Sequence, residues 1–226
     1  MKEKNIVVLD LETAKSADDC KHCGATARQH TLTTEYHCET FEEIGWDNKA
    51  ALGLSIGCYF DYRDSHIHWF DIHALEETMQ KFVETQPLLV SFNGKSFDFP
   101  LMQACLTQIP NYPNWVVDRG ILEQNWQDLC AASYDILAEI WKVDPRSKFT
   151  RGLNSLNAIS RANGLGDKLS HGAEAPRRWA RGEYAHVLNY CQDDVLKTKA
   201  LFEQIVTIEK ILRGDHKPII LRSPFL

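Results

Sequence analysis

Residues 5–12 read NIVVLDLE, and this stretch decides how the rest of the chain is read. Ile6, Val7, Val8 and Leu9 form a short, branched, apolar run of the kind that makes a strand buried on both faces. Asp10 and Glu12 interrupt it two residues apart, so on a strand both carboxylates point to the same face. Two negative charges there repel unless a cation sits between them, and unpaired buried carboxylates are costly. Taken alone the pair is weak, since about one Asp-x-Glu arises by chance in a chain of this length.

Outward from that strand, Leu52–Phe60 (LGLSIGCYF) alternates apolar residues and His66–Phe70 (HIHWF) supplies a hairpin partner. Asp71 is a candidate N-cap for a helix running to about Gln86, with Leu75, Met79, Phe82 and Val83 at helical spacing. LLVSF at 88–92 restores a strand, Asn93-Gly94 closes it, and Pro100 suits the first turn of a helix over 98–107 that begins at Asp98. Further helices are predicted at 133–142, 153–163 and 183–212. Strands first and helices later indicate an α/β or α+β domain with helices packed on a central sheet.

Two more acidic positions join the first pair. Asp98 follows the C-terminal end of a strand in FNGKSFDFP (92–100), where a plain N-cap is the competing reading. In YCQDD (190–194), Tyr190 and Asp194 lie four apart and share a helix face. Asp193 is turned about 100° away, in position to pair with Lys197.

VVLDLET, FNGKSFDFP and YCQDD, in that order, resemble the three motifs of the DEDD superfamily of 3′–5′ exonucleases. The tyrosine subgroup fits, and within it the proofreading domains of B-family DNA polymerases and their stand-alone bacterial relatives. The histidine subgroup needs His five residues before its last aspartate, where this chain has Asn189 or Leu188, and His186 fits neither register. The resemblance implies an α/β, ribonuclease H-like fold, a mixed central β-sheet flanked by α-helices with the first motif on its central strand. It also implies a two-metal-ion site for Mg²⁺ or Mn²⁺, oxygen-ligated, with Asp10, Glu12 and Asp194 on one ion and Asp10 and Asp98 on the other. Tyr190 would orient the attacking water. Asn93 and Phe97 would line the terminal nucleotide, although a turn residue and a core aromatic are equally open readings.

One segment departs from that pattern. Residues 20–42 read as an insertion carrying Cys20, Cys23, His30, His37 and Cys38. Cys-x-x-Cys followed by Gly24 resembles a zinc-knuckle turn, with two further Zn²⁺ ligands to come from His37, Cys38 or His30; a loop carrying reduced thiols is the alternative. A second Cys-x-x-Cys is absent, and adjacent His37 and Cys38 point oppositely on extended backbone. Cys58, Cys105, Cys130 and Cys191 read as small core residues.

Length and composition bound the rest. At 226 residues and 44% apolar side chains, one domain over 1–226 is expected. The acidic residues near the N-terminus argue against a signal peptide, no apolar run approaches a membrane span, and seven cysteines suggest reduced thiols, so a cytoplasmic protein is expected. A formal charge of −6 disfavours indiscriminate phosphate binding. Within that acidic chain Lys142–Arg181 is basic, either as a solvated face or as a nucleic-acid contact surface that includes Arg177 and Arg178. The expected activity is removal of nucleotides from a free 3′ end, with single-stranded or 3′-overhang DNA, or RNA, as partner. A catalytically silent binding module and a structure-selective endonuclease on the same fold are the alternatives. No polymerase or helicase motif stands within these residues, so proofreading in cis is not expected.

Overall fold

Branched side chains at Ile6, Val7 and Val8 favour extended backbone, and the computed structural model forms strand β1 over Ile6–Thr13. The structure describes residues 5–25, 40–109, 119–150, 152–167, 169 and 172–225. After the short helix α1 (Lys49–Leu52), strand β2 (Leu54–Asp61) runs antiparallel beside β1 and sets Asp10 opposite Cys58 and Glu12 opposite Ile56. Strand β3 (His66–Phe70) completes the hairpin. Helix α2 (Leu75–Thr85) leads into β4 (Leu88–Ser91), which lies parallel to β1 on its other side. Helices α3 (Asp98–Leu106) and α4 (Arg119–Ala131) carry the chain to β5 (Tyr134–Asp135), parallel to β4. The order β3-β2-β1-β4-β5 makes a mixed sheet with β1 at its centre.

Both faces of that sheet are covered, as the apolar run in β1 requires. Ile6 and Val8 join Ile56 and Cys58 in one core with Val187, Cys191 and Val195 from the long helix α8 (Tyr184–Ile208). Val7, Leu9 and Leu11 face the other way, into a core with Met79, Phe82, Met102 and Trp126 from α2, α3 and α4. By the two-residue period of a strand, Asp10 and Glu12 therefore face α8. The remaining helices, α5 (Ile136–Val143), α6 (Leu156–Ala162) and α7 (Ala175–Ala180), pack around the α8 side.

Several boundaries differ from the sequence expectation. The helix expected from Asp71 begins at Leu75, because the Asp71 carboxylate accepts from the His73 and Ala74 amides and closes a separate turn first. The last helix stops at Ile208. Glu209 takes a left-handed conformation at φ +50°, and Lys210–Leu212 becomes strand β6, paired antiparallel with β7 (Pro218–Ile220). Helix α5 starts at Ile136, three residues later than expected, because the side chain of Asp135 caps it through the Leu137 and Ala138 amides. Asp98 does not cap α3: Phe97 holds the cap position without a side-chain bond, which leaves the carboxylate of Asp98 for another partner.

Candidate active site

The face of α8 that meets β1 is set by its buried stripe. Val187, Cys191 and Val195 seal the core, and Tyr190 and Asp194, one turn apart, emerge from the same side. The carboxylates of Asp10, Glu12 and Asp194 come together there, with one oxygen of each within 4.8 Å of the others. Asp193 is rotated out of this cluster and pairs with Lys197 at 2.5 Å, as its place in the helix register predicts. Cys191 does more than fill the core, because its thiol donates to the main-chain oxygen of Asp10 at 3.3 Å.

Asp98 arrives by a different route. After β4 the chain turns through Asn93, at φ +76°, and Gly94, where a Cβ would stand 2.3 Å from the Ser91 hydroxyl. Asp135 holds this turn: its buried carboxylate accepts from the Asn93 and Lys95 amides, both at 2.9 Å, while also capping α5. The turn delivers Phe97 and Asp98 to the end of β1, where Asp98 Oδ1 accepts from the Leu11 amide at 3.1 Å. Asp98 lines the same cavity as Asp10, Glu12, Tyr190 and Asp194 but stands outside their three-oxygen cluster. Sequence reading missed Asp135, and its only signal was an Asp directly before the apolar face of α5.

Charge makes this arrangement expensive. At 4.8 Å and an effective dielectric near 20, each pair of ionised carboxylates costs about 3 kcal/mol, and three such pairs would cancel much of the roughly 5–15 kcal/mol that holds a typical domain together. Burial, then the nearby Asp135 charge, pushes Asp98 up to about 7. Burial, then Asp194, Glu12 and Asp10, pushes the Tyr190 phenol far above its usual range, so it keeps its proton and can donate. Oxygen-only donors with converging negative charge match hard divalent cations such as Mg²⁺ or Mn²⁺, and the residues fit such an ion.

The cavity, about 210 Å³, is also lined by Asn93, Phe97, Phe92, Trp46, Asp18, Ala173 and Pro176. Asn93 and Phe97 are thus both structural and pocket-facing. Arg177 is exposed and follows Pro176, whereas Arg178 is shared between Glu174 and Glu183 at 3.1 and 3.0 Å. Arg161 pairs with Asp167 and Lys142 with Glu139, so much of the basic segment is neutralised locally. In the insertion, the Gly24 amide donates to the Cys20 carbonyl at 2.8 Å with Gly24 at φ +71°, closing a tight turn between Cys20 and Cys23. His30, His37 and Cys38 lie outside the described residues. No helix among the described residues is long and apolar enough to cross a membrane.

With this geometry in place, residues 68–217 match a family described as "Predicted 3'-5' exonuclease related to the exonuclease domain of PolB". The chain belongs to this family. The match takes in Asp98, Tyr190 and Asp194, while Asp10 and Glu12 precede it and join the site through the sheet. The family B DNA polymerase from the hyperthermophilic archaeon Pyrobaculum calidifontis is similar in structure, with a TM-score of 0.50 at 13% identity. That similarity covers 88% of this chain and 24% of the polymerase chain, and it shows the shared ribonuclease H-like fold. No curated protein matches the chain.

Proposed function

We propose that this protein is a divalent-metal-dependent 3′–5′ exonuclease that hydrolyses single-stranded or 3′-overhang DNA. The observation that carries this reading is the convergence of Asp10, Glu12 and Asp194 oxygens within 4.8 Å, in one cavity with Asp98 and Tyr190. Asp10, Glu12 and Asp194 would hold one Mg²⁺ or Mn²⁺, and Asp10 with Asp98 a second. Bound there, such ions make water a better nucleophile at neutral pH and neutralise charge on the phosphate and the leaving 3′-oxygen. Tyr190, protonated and buried beside the carboxylates, donates its hydrogen bond to orient the attacking water. The Leu11 amide and the Asp135-held turn keep Asp98 aimed at the cavity. Phe97 and Asn93 flank the terminal nucleotide, and Arg177 and Arg178, which follow Pro176 in the chain, contact the backbone upstream.

Melting base pairs costs energy that contacts must offset, which favours an end already unpaired over blunt duplex. Seven cysteines fit a reduced, cytoplasmic setting for a single domain over 1–226. The Cys20–Cys23 turn suits a structural Zn²⁺ within the 20–42 insertion. The test is a labelled-oligonucleotide ladder with Mg²⁺ or Mn²⁺ on single-stranded DNA, duplex DNA, RNA and a circular single strand. Stepwise shortening of linear strands from the 3′ end, with the circle spared, is expected. Efficient cutting of the circle would make it an endonuclease, and binding without cutting under either metal a silent module.

A further inference from the structure

The cavity poses a binding problem that its carboxylates cannot solve. Its described lining carries Asp10, Glu12, Asp18, Asp98 and Asp194 and no lysine or arginine, so between ions a phosphate backbone is repelled there. Aromatic faces attract bases regardless of that charge, and one such face stands at the mouth. Trp46 lines the cavity and is 60% exposed, so its ring is open to a ligand there. Its indole meets the Phe97 ring edge-on with centroids 5.9 Å apart, and Phe97 directly precedes Asp98.

Trp46 is also held in place. It follows the stem that closes the insertion, where the Lys21 amide donates to Glu42, the Ile44 amide to Asp19 and the Gly45 amide to Ala17, at 2.8, 2.9 and 2.9 Å. Ile44 is buried beside it, and Gly45 turns the chain at φ +74°. Lys49, one turn on, donates to the Trp46 carbonyl and sets its ammonium 4.4 Å from the centre of the Phe97 ring. That places a positive charge next to the shelf, outside the carboxylate cluster.

We propose that Trp46 is a stacking platform for a nucleobase at the unpaired 3′ end of the strand, a contact that rests on the nuclease reading above. A base within a duplex is already stacked on both sides, so the platform selects frayed or single-stranded ends. It is indifferent to base identity because every base offers a π-face. Stacking holds substrate and transition state alike, so its loss appears in KM rather than in kcat.

The experiment is steady-state cleavage of a 5′-labelled oligothymidylate and of the same strand with its last two nucleotides abasic. For Trp46→Ala, KM on the intact strand should rise about 10-fold, as for loss of one stacked base, with kcat little changed. On the abasic strand Trp46→Ala should match the wild type, and Trp46→Phe should restore most of the loss on the intact one. Unchanged KM on the intact strand, or an equal loss on both strands, overturns the platform. Should Trp46→Ala fail to fold by circular dichroism, the wild type decides: equal KM on abasic and intact ends overturns it. A wild type that cuts neither strand removes the nuclease reading as well, whereas normal cutting with an insensitive Trp46 removes the platform alone.

Discussion

Replacing Asp135 with Asn probes the turn that carries Asp98 without removing a candidate metal ligand. Asp135 Oδ1 accepts from the Asn93, Leu137 and Ala138 amides, and Oδ2 accepts from Lys95. In Asp135→Asn the remaining oxygen can serve the three amides on the Oδ1 side, and Asn caps α5 as well as Asp does. The new NH₂ group then confronts the Lys95 amide, donor to donor. One charge-assisted bond is lost, worth about 1.5–3 kcal/mol, and the other three weaken without the charge, so a loss of about 3 kcal/mol is expected. For a chain of this size each kcal/mol shifts Tm by roughly 2–4 °C, which gives a fall of about 6–12 °C by differential scanning calorimetry. Asp135→Ala loses all four bonds and should fall further. Activity at a temperature where both variants are folded should drop too, because the loosened turn carries Phe97 and Asp98. A Tm for Asp135→Asn within about 2 °C of the wild type, or Asp135→Ala no worse than Asp135→Asn, would refute this account of the turn.

Four other outcomes follow from the site. Chelation by EDTA and the change Asp98→Ala should each abolish hydrolysis; undiminished cutting by purified Asp98→Ala would sink the two-ion assignment. Tyr190→Phe should slow turnover about 10²-fold without stopping it, read as kcat on a single strand, and an unaltered kcat would remove the water-orienting role. Asp193→Asn should keep kcat while costing about 1–2 kcal/mol of stability, since Lys197 is buried and Asp193 partly exposed, whereas Asp194→Asn should be inactive; the reverse pattern would mean the helix register is misread. Elemental analysis of protein purified without added metal should give about one equivalent of Zn²⁺, lost on Cys20→Ser together with Cys23→Ser, and a metal-free, normally folded wild type would leave the insertion without that ion.

What could be read from sequence was whatever depended on period. The two-residue period of β1 placed Asp10 and Glu12 on one face, and the four-residue step of α8 put Tyr190 beside Asp194 and turned Asp193 away. Helix α4 was equally legible through Leu122, Trp126 and Leu129 at helical spacing, with Asp118 directly before its first residue as a candidate cap, and it was overlooked. The end of α8 was not legible, because Lys210–Leu212 becomes a strand only by pairing with Pro218–Ile220, and a helix pattern runs through Ile208 without a break. For Asp98, named as a ligand, the local sequence left a plain cap as the competing reading, and its carboxylate instead accepts from the Leu11 amide, 87 residues away. Trp46 and Asp135 were invisible for the same reason. Each acts through partners brought near only by the sheet: Phe97 in one case, Asn93 and Lys95 in the other.

The acidity of the whole chain follows from the same economy. An enzyme that gripped DNA through surface charge would hold duplex and single strand alike, since both present phosphates, and its affinity would fall steeply with salt. Here Arg178 is engaged by Glu174 and Glu183, and the described lining of the cavity carries five carboxylates and no lysine or arginine. Inside the cavity, bound cations and aromatic faces are left as the attractive elements. On the nuclease reading, cations would act on the scissile phosphate, and aromatic faces reward only bases that have left the duplex. On that reading, the net charge of −6 repels paired and unpaired strands alike at the surface, and the choice of a free 3′ end falls to the few contacts inside the cavity.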